Sequence, residues 1–153
     1  MSVPKAGALA KASDWTTVFP LDTDAWTAYV PTLVQSGTVT KTVSIANYTR
    51  VGRIIFGQVR LAVTGAGTAS NEVRIGLPVT AASSGALTLG SGFIIDTSAA
   101  ALYKGVPLLS ATTYVTLLST SGTSPNSLGA DTFTAALAAG DSVAVSFAYE
   151  AAS

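Results

Sequence analysis

The sequence predicts an all-β protein: an antiparallel, jelly-roll-like sandwich behind a short N-terminal arm. Three observations carry this. Short apolar stretches alternate with period two from about residue 32 onward. Clusters of Gly, Ser, Thr and Asn separate those stretches at turn-like intervals. Helical periodicity is scarce. Residues 1–31 differ in texture and read as an arm or anchor segment; residues 32–153 read as the sandwich domain.

In chain order, the arm holds "DWTTVFPLDTDAWTAYVP", residues 14–31, with both tryptophans. Ser13 could cap a single helical turn near 13–19, with Trp15, Val18 and Phe19 on one side. Pro20 and Pro31 stiffen the strip and bar regular sheet pairing there. Beyond it, "YTRVGRIIFGQVRLAVT", 48–64, is too long for one strand. Gly52 marks a turn and Gly57 a close approach or bulge, so two strands are expected, near 38–50 and 53–64. Ile55, Val59, Leu61 and Val63 share one face of the second; Gln58 and Arg60 share the other. "TGAGTAS", 64–70, lacks the lysine and helix of a phosphate loop and reads as a hairpin turn.

Further strands are expected over 72–78, 90–96, 100–109 and 113–119. Residues 120–131 form the longest turn-rich connection, an exposed loop centred on Ser124, Pro125 and Asn126. "DTFTAALA", 131–138, has helix-forming alanines. Its alternation of Phe133, Ala135 and Leu137 tips the reading to strand. The clearest strand is "DSVAVSFAYE", 141–150: Val143, Val145, Phe147 and Tyr149 alternate with small residues behind a turn at Gly140. Eight or so antiparallel strands make a two-sheet sandwich of jelly-roll type. An immunoglobulin-like sandwich is the runner-up, without paired cysteines or a tryptophan in the strand region.

Composition narrows the function. The chain has no Cys and no His, so there are no disulfides, no thiolate or imidazole metal ligands and no Ser-His-Asp catalysis. Charged residues are 10% of the chain, with eight basic and eight acidic side chains. That leaves no basic footprint for nucleic acid. No apolar run reaches the length of a membrane-spanning helix. The first residues lack a signal peptide's apolar block, so synthesis in the cytoplasm is expected. Mean hydropathy is +0.49. So apolar a chain with so few charges points to burial in an oligomer or larger assembly.

The sequence offers no catalytic residue, no cofactor site and no metal site. Asp22 and Asp24 form a D-x-D pair, but lack the rest of a calcium loop and read as solvating a turn. Asp131 with Asp141, and Glu72 with Glu150, are the other carboxylate pairs; Asp141 reads as a turn residue. Arg53 falls on the apolar side of its strand by parity. Either a glycine-linked bulge resets the register, or Arg53 meets a carboxylate at a subunit interface.

Trp26, Tyr29 and Pro31 open a longer pattern, W-x-x-Y-x-P. Tyr48, Val51, Gly52 and Arg53 continue it as Y-x-x-V-G-R, followed by Gly57, Val59 and Leu61. "IGLPV" at 75–79, "GSGFIIDTSA" at 90–99, Tyr103 and "GDSVAVSFAYE" at 140–150 complete the order, and "KASDWTTVFP" at 11–20 leads into it. The run resembles small virion proteins and tail-fibre ends of tailed phages, especially phages of actinobacteria. The resemblance covers nearly the whole chain. It implies a trimerising β-sandwich without catalysis, located in the virion. The short chain, with no room for a fibre shaft, favours a capsid decoration protein or head fibre whose partner is the major capsid protein. The alternative is a tail-fibre protein that contacts tail proteins and a host-surface glycan. Trp15, Phe19, Trp26, Tyr29 and Pro31 are then the candidate anchors. Aromatics of this kind dominate interfaces, each gaining roughly 1.5–3 kcal/mol on full burial. The competing reading is that the strip closes the end of its own sandwich.

Overall fold

The structure, a computed structural model, describes residues 26–85, 88–120 and 133–153. Trp15, Phe19, Asp22, Asp24, Asp131 and the loop residues Ser124, Pro125 and Asn126 lie outside them, as does the expected helical turn. The described residues are all-β, without helix. The strands are β1 (Thr27–Ala28), β2 (Leu33–Gln35), β3 (Gly37–Thr38), β4 (Lys41–Val51), β5 (Ile54–Val63), β6 (Arg74–Gly76), β7 (Gly92–Asp96), β8 (Ala101–Ala111), β9 (Tyr114–Ser119) and β10 (Ser142–Glu150).

All pairings are antiparallel, in one continuous sheet ordered β1-β4-β5-β10-β7-β8-β9-β6-β2-β3. Two sheets were the expectation; hydrogen bonding instead runs unbroken through the described strands. Chain connectivity shows how that sheet is shaped. β3 and β4 sit eight positions apart in the order, which is about 38 Å across a flat sheet. Only Val39 and Thr40 join them, a reach of roughly 11 Å. β1 and β2 are likewise eight positions apart, with residues 29–32 between. The sheet must therefore curl until its two ends meet. A contact across the seam agrees: the O–H of Tyr29, one residue past β1, donates to Gly76 O of β6 at the other end of the order.

The curl encloses one apolar core. β5 supplies Ile55, Val59, Leu61 and Val63, the face expected from its periodicity, and β10 supplies Val143, Val145, Phe147 and Tyr149. β7 to β10 form a Greek key, since β10 returns after a long connection to lie beside β7 in the order β10-β7-β8-β9. Gly52, at φ 59°, takes the first central position of the two-residue β4–β5 turn, where a primed hairpin turn favours glycine. Gly57 is a close approach, not a bulge. It pairs directly with Phe147, and a Cβ there would overlap the Phe147 ring. The register shift lies in β4 instead, between Val43 and Ile45.

Two further expectations are corrected. Residues 64–70 do not form a hairpin turn, because β5 and β6 are not neighbours in the sheet. The segment is a crossover, and its Gly65 and Gly67 let the backbone lie against the side chains of Thr40 and Gln35. Residues 133–138 are not a strand. They form an irregular strap that still buries Phe133 and Leu137 completely. Its backbone bonds to side chains and loops, not to a neighbouring strand. Gln35 Nε2 donates to Ala135 O (3.0 Å) and Asn71 O (3.3 Å), and Leu137 N–H donates to Gln35 Oε1 (2.8 Å). The crossover completes the tie: Gly67 N–H donates to Leu137 O and Ser70 N–H to Thr134 O.

Candidate interaction surface

β10 determines the shape of the outer surface. Its outward residues, Ser142, Ala144, Ser146 and Ala148, are all small. Their cross-strand neighbours on β5 include Phe56, Gln58 and Arg60. On the other side, Phe93 pairs with Ala144, and Leu89 bridges to Ala148. A strand of small residues between two taller rows makes a groove floored by β10. One recess, of about 400 Å³, lies among Trp26, Phe56, Leu89 and Phe147. A second, of about 270 Å³, lies among Ile45, Arg60, Ser91 and Phe93. The chain permits the deep approach beside Leu89 because Gly90, at φ 153°, leaves no Cβ to strike Ser146 O.

The groove's upper end is apolar and open. Trp26 is 49% exposed, Phe56 42% and Leu89 79%. Val51 and Ile54, at the adjoining β4–β5 turn, are exposed as well. Side chains this large and apolar, gathered on one face, mark a surface that has something to cover. The lower end carries charge: Arg60 lines it, and Lys104 stands opposite Phe93 on β8. Neither has an ion-pair partner among the described residues, where Arg53 pairs with Glu150 and Arg74 with Glu72.

The candidate anchors separate. Trp26 stays exposed at the groove. Tyr29 and Pro31 turn inward: Pro31 is buried, and Tyr29 packs edge-to-face on Tyr48 with ring centroids 5.9 Å apart. The Tyr29 O–H donates to Gly76 O across the seam (3.4 Å), and burial holds its pKa above the ordinary tyrosine range. Arg53 occupies the β4–β5 turn, so its strand parity does not apply. Its guanidinium meets Glu150 of the same chain at 3.2 Å, with both side chains more than half exposed. Such an exposed pair adds at most about 1 kcal/mol.

The carboxylates are occupied locally. Asp141 Oδ1 accepts from Thr97 N–H (2.9 Å) and its Oδ2 from Ala138 N–H (2.8 Å), tying the strap's end to the β7–β8 turn. Asp96 accepts from the Ser98 hydroxyl (2.7 Å) and the Ala99 N–H (3.0 Å), which hold its carboxyl below the usual range. Glu72 and Glu150 each hold their own arginine. Among the described residues no group of three or more Asp, Glu, His or Cys side chains converges as a metal site would require. No family model matches the chain, and neither a curated protein nor a solved structure matches it.

The groove was missed at the sequence level. The alternation in 141–150 marks the buried face of β10; that its outer face holds only small residues becomes meaningful once Phe56, Arg60, Leu89 and Phe93 are seen beside it. Gln35 was missed too. A lone glutamine carries no sequence signal for complete burial.

Proposed function

We propose that this chain is a non-enzymatic virion protein of a tailed phage: a trimeric capsid decoration protein, with a jelly-roll-like body, that binds the outside of the shell. The observation that carries the reading is the exposed apolar face of Trp26, Phe56 and Leu89 on a compact β-body with few charges. A surface of this kind is stable in solution when an assembly covers it. The Greek key of β7–β10 supports the jelly-roll reading, since a jelly roll is built from two such units. The ordered motifs from Trp26 to Glu150 support the virion reading by resemblance.

A second reading is a tail-fibre receptor-binding protein that recognises host-surface glycans. The mixture of aromatic and hydroxyl-bearing side chains along the groove favours it, as flat apolar faces and hydrogen-bonding groups suit sugars. Copy number per particle separates the two. Quantitative mass spectrometry against the major capsid protein is expected to find the chain in hundreds of copies, as a shell-covering protein requires. A handful in multiples of three would place it on the tail, and none would reject both readings.

A further inference from the structure

We propose that the lower recess of the β10 groove binds a carboxylate-bearing sugar. The inference deepens the glycan reading and rests on it. The face of Trp26, Phe56 and Leu89 stays uncovered. Its row at Ala148 lies four residues along β10 from the row at Ala144, about 13 Å away.

Three observations meet here. The first is charge. One register row crosses four strands as Arg60, Ala144, Phe93 and Lys104. Arg60 and Lys104 are exposed and have no ion-pair partner among the described residues. No Asp or Glu stands among the described residues that line the recess. An anion entering there meets attraction without local repulsion. The planar fork of Arg60 suits a carboxylate, which it can hold through two parallel hydrogen bonds. The second is shape. Arg60 and Phe93 stand two strand spacings apart, about 10 Å. Ala144 between them contributes a methyl alone. The recess of about 270 Å³ has the volume of roughly nine waters at liquid density, room for a single sugar ring. Such a ring lies over Ala144, and Phe93 offers it a flat apolar wall.

The third is a row of hydrogen-bonding groups beside these residues. Gln58 pairs with Ser146 in register. Ser91 N–H donates to Ser146 Oγ (3.2 Å), and the Ser146 hydroxyl donates to Ser91 O (3.3 Å). The Gln58 amide and the Ser91 hydroxyl line the recess without a partner among the described residues. An amide and a hydroxyl offer donors and acceptors together, which is what sugar hydroxyls need. The sheet itself favours a sugar over an acidic peptide. β10 is bonded on both sides, so the groove has no free edge to take an added strand. A peptide backbone laid there finds no ladder partners, whereas a sugar is held through side chains alone.

The full-length chain is tested on immobilised uronic-acid and sialic-acid oligosaccharides, each beside its neutral counterpart without the carboxylate. The expected result is binding to an acidic member, with its neutral counterpart held about tenfold more weakly. Arg60→Gln should weaken the acidic binding about tenfold, the loss of one charged hydrogen-bond donor. Arg50→Gln removes an exposed cation near the end of β4, outside the recess, and should leave binding unchanged. Both arginines are exposed, so both variants should keep the parent's thermal midpoint. Equal weakening by the two variants marks general charge attraction and overturns the proposal. Tighter binding of hexaglutamate than of any sugar overturns it too, in favour of an acidic peptide. Binding of neutral sugars alone overturns the proposal and leaves the glycan reading standing; binding of no sugar removes both.

Discussion

At the scale of single residues, Gln35 does what no apolar side chain could. It is fully buried on β2, yet each polar atom of its amide is used: two carbonyls receive its N–H groups and its oxygen receives Leu137 N–H. Removing it leaves buried backbone groups without partners, which costs more than the net value of the bonds themselves. Gln35→Ala should lower stability by about 3 kcal/mol, by the cost of unsatisfied buried groups. Urea unfolding checks this, and a loss near zero would mean that water replaces the amide. Tyr149 gives a pH signature. Its O–H donates to Val79 O at 2.6 Å, and burial pushes its pKa up to about 12. The folded state holds the proton more tightly than the unfolded chain, whose tyrosine titrates near 10. The associated stability is therefore complete below pH 10 and is lost as pH rises from there through about 12. Tyr149→Phe should flatten that alkaline decline in a series of denaturant midpoints. At neutral pH it should cost about 1 kcal/mol for the lost hydrogen bond. An unchanged alkaline limb would show that Tyr149 is not the group responsible.

At the scale of elements, strands with one wet face were legible and segments held by distant side chains were not. β5 and β10 alternate cleanly because one face of each lies on the core, so their inward residues could be read directly. Gly57 was legible as a close approach, though only the register shows Phe147 as the reason. Residues 133–138 misled because Phe133, Ala135 and Leu137 alternate as a strand would. What decides their conformation is Gln35, about a hundred residues earlier, and local pattern carries no trace of that. The same holds for 64–70, whose glycines look like turn residues but serve close packing on Thr40 and Gln35. Aromatic residues near the front were legible as a group with a task. Their division into an exposed Trp26 and an inward Tyr29 with Pro31 needed the seam.

At the scale of the whole molecule, the curled sheet turns its apolar face onto one core, so function is expected on its outside. Under the proposed function, deletion of residues 1–20 should leave a folded trimer that no longer binds particles. Analytical ultracentrifugation and co-sedimentation with particles check the two halves of that statement. Undiminished binding by the shortened protein would remove the anchoring role from Trp15 and Phe19. The body itself should withstand the cut, since its core is drawn from residues 33–151.

The place of β10 in the sheet has one more consequence. It is the last strand along the sequence, yet it sits between β5 and β7, bonded to both. While the ribosome is still making residues 142–150, β5 and β7 each have an unfilled edge, and four of the core's large side chains are missing. The domain therefore cannot close before β10 emerges, and it closes through pairings between residues far apart in the chain. Such non-local closure is slow, in the range of milliseconds to seconds. Through that interval the open edges are the places where two nascent copies would pair wrongly, and chaperone holding would matter most there.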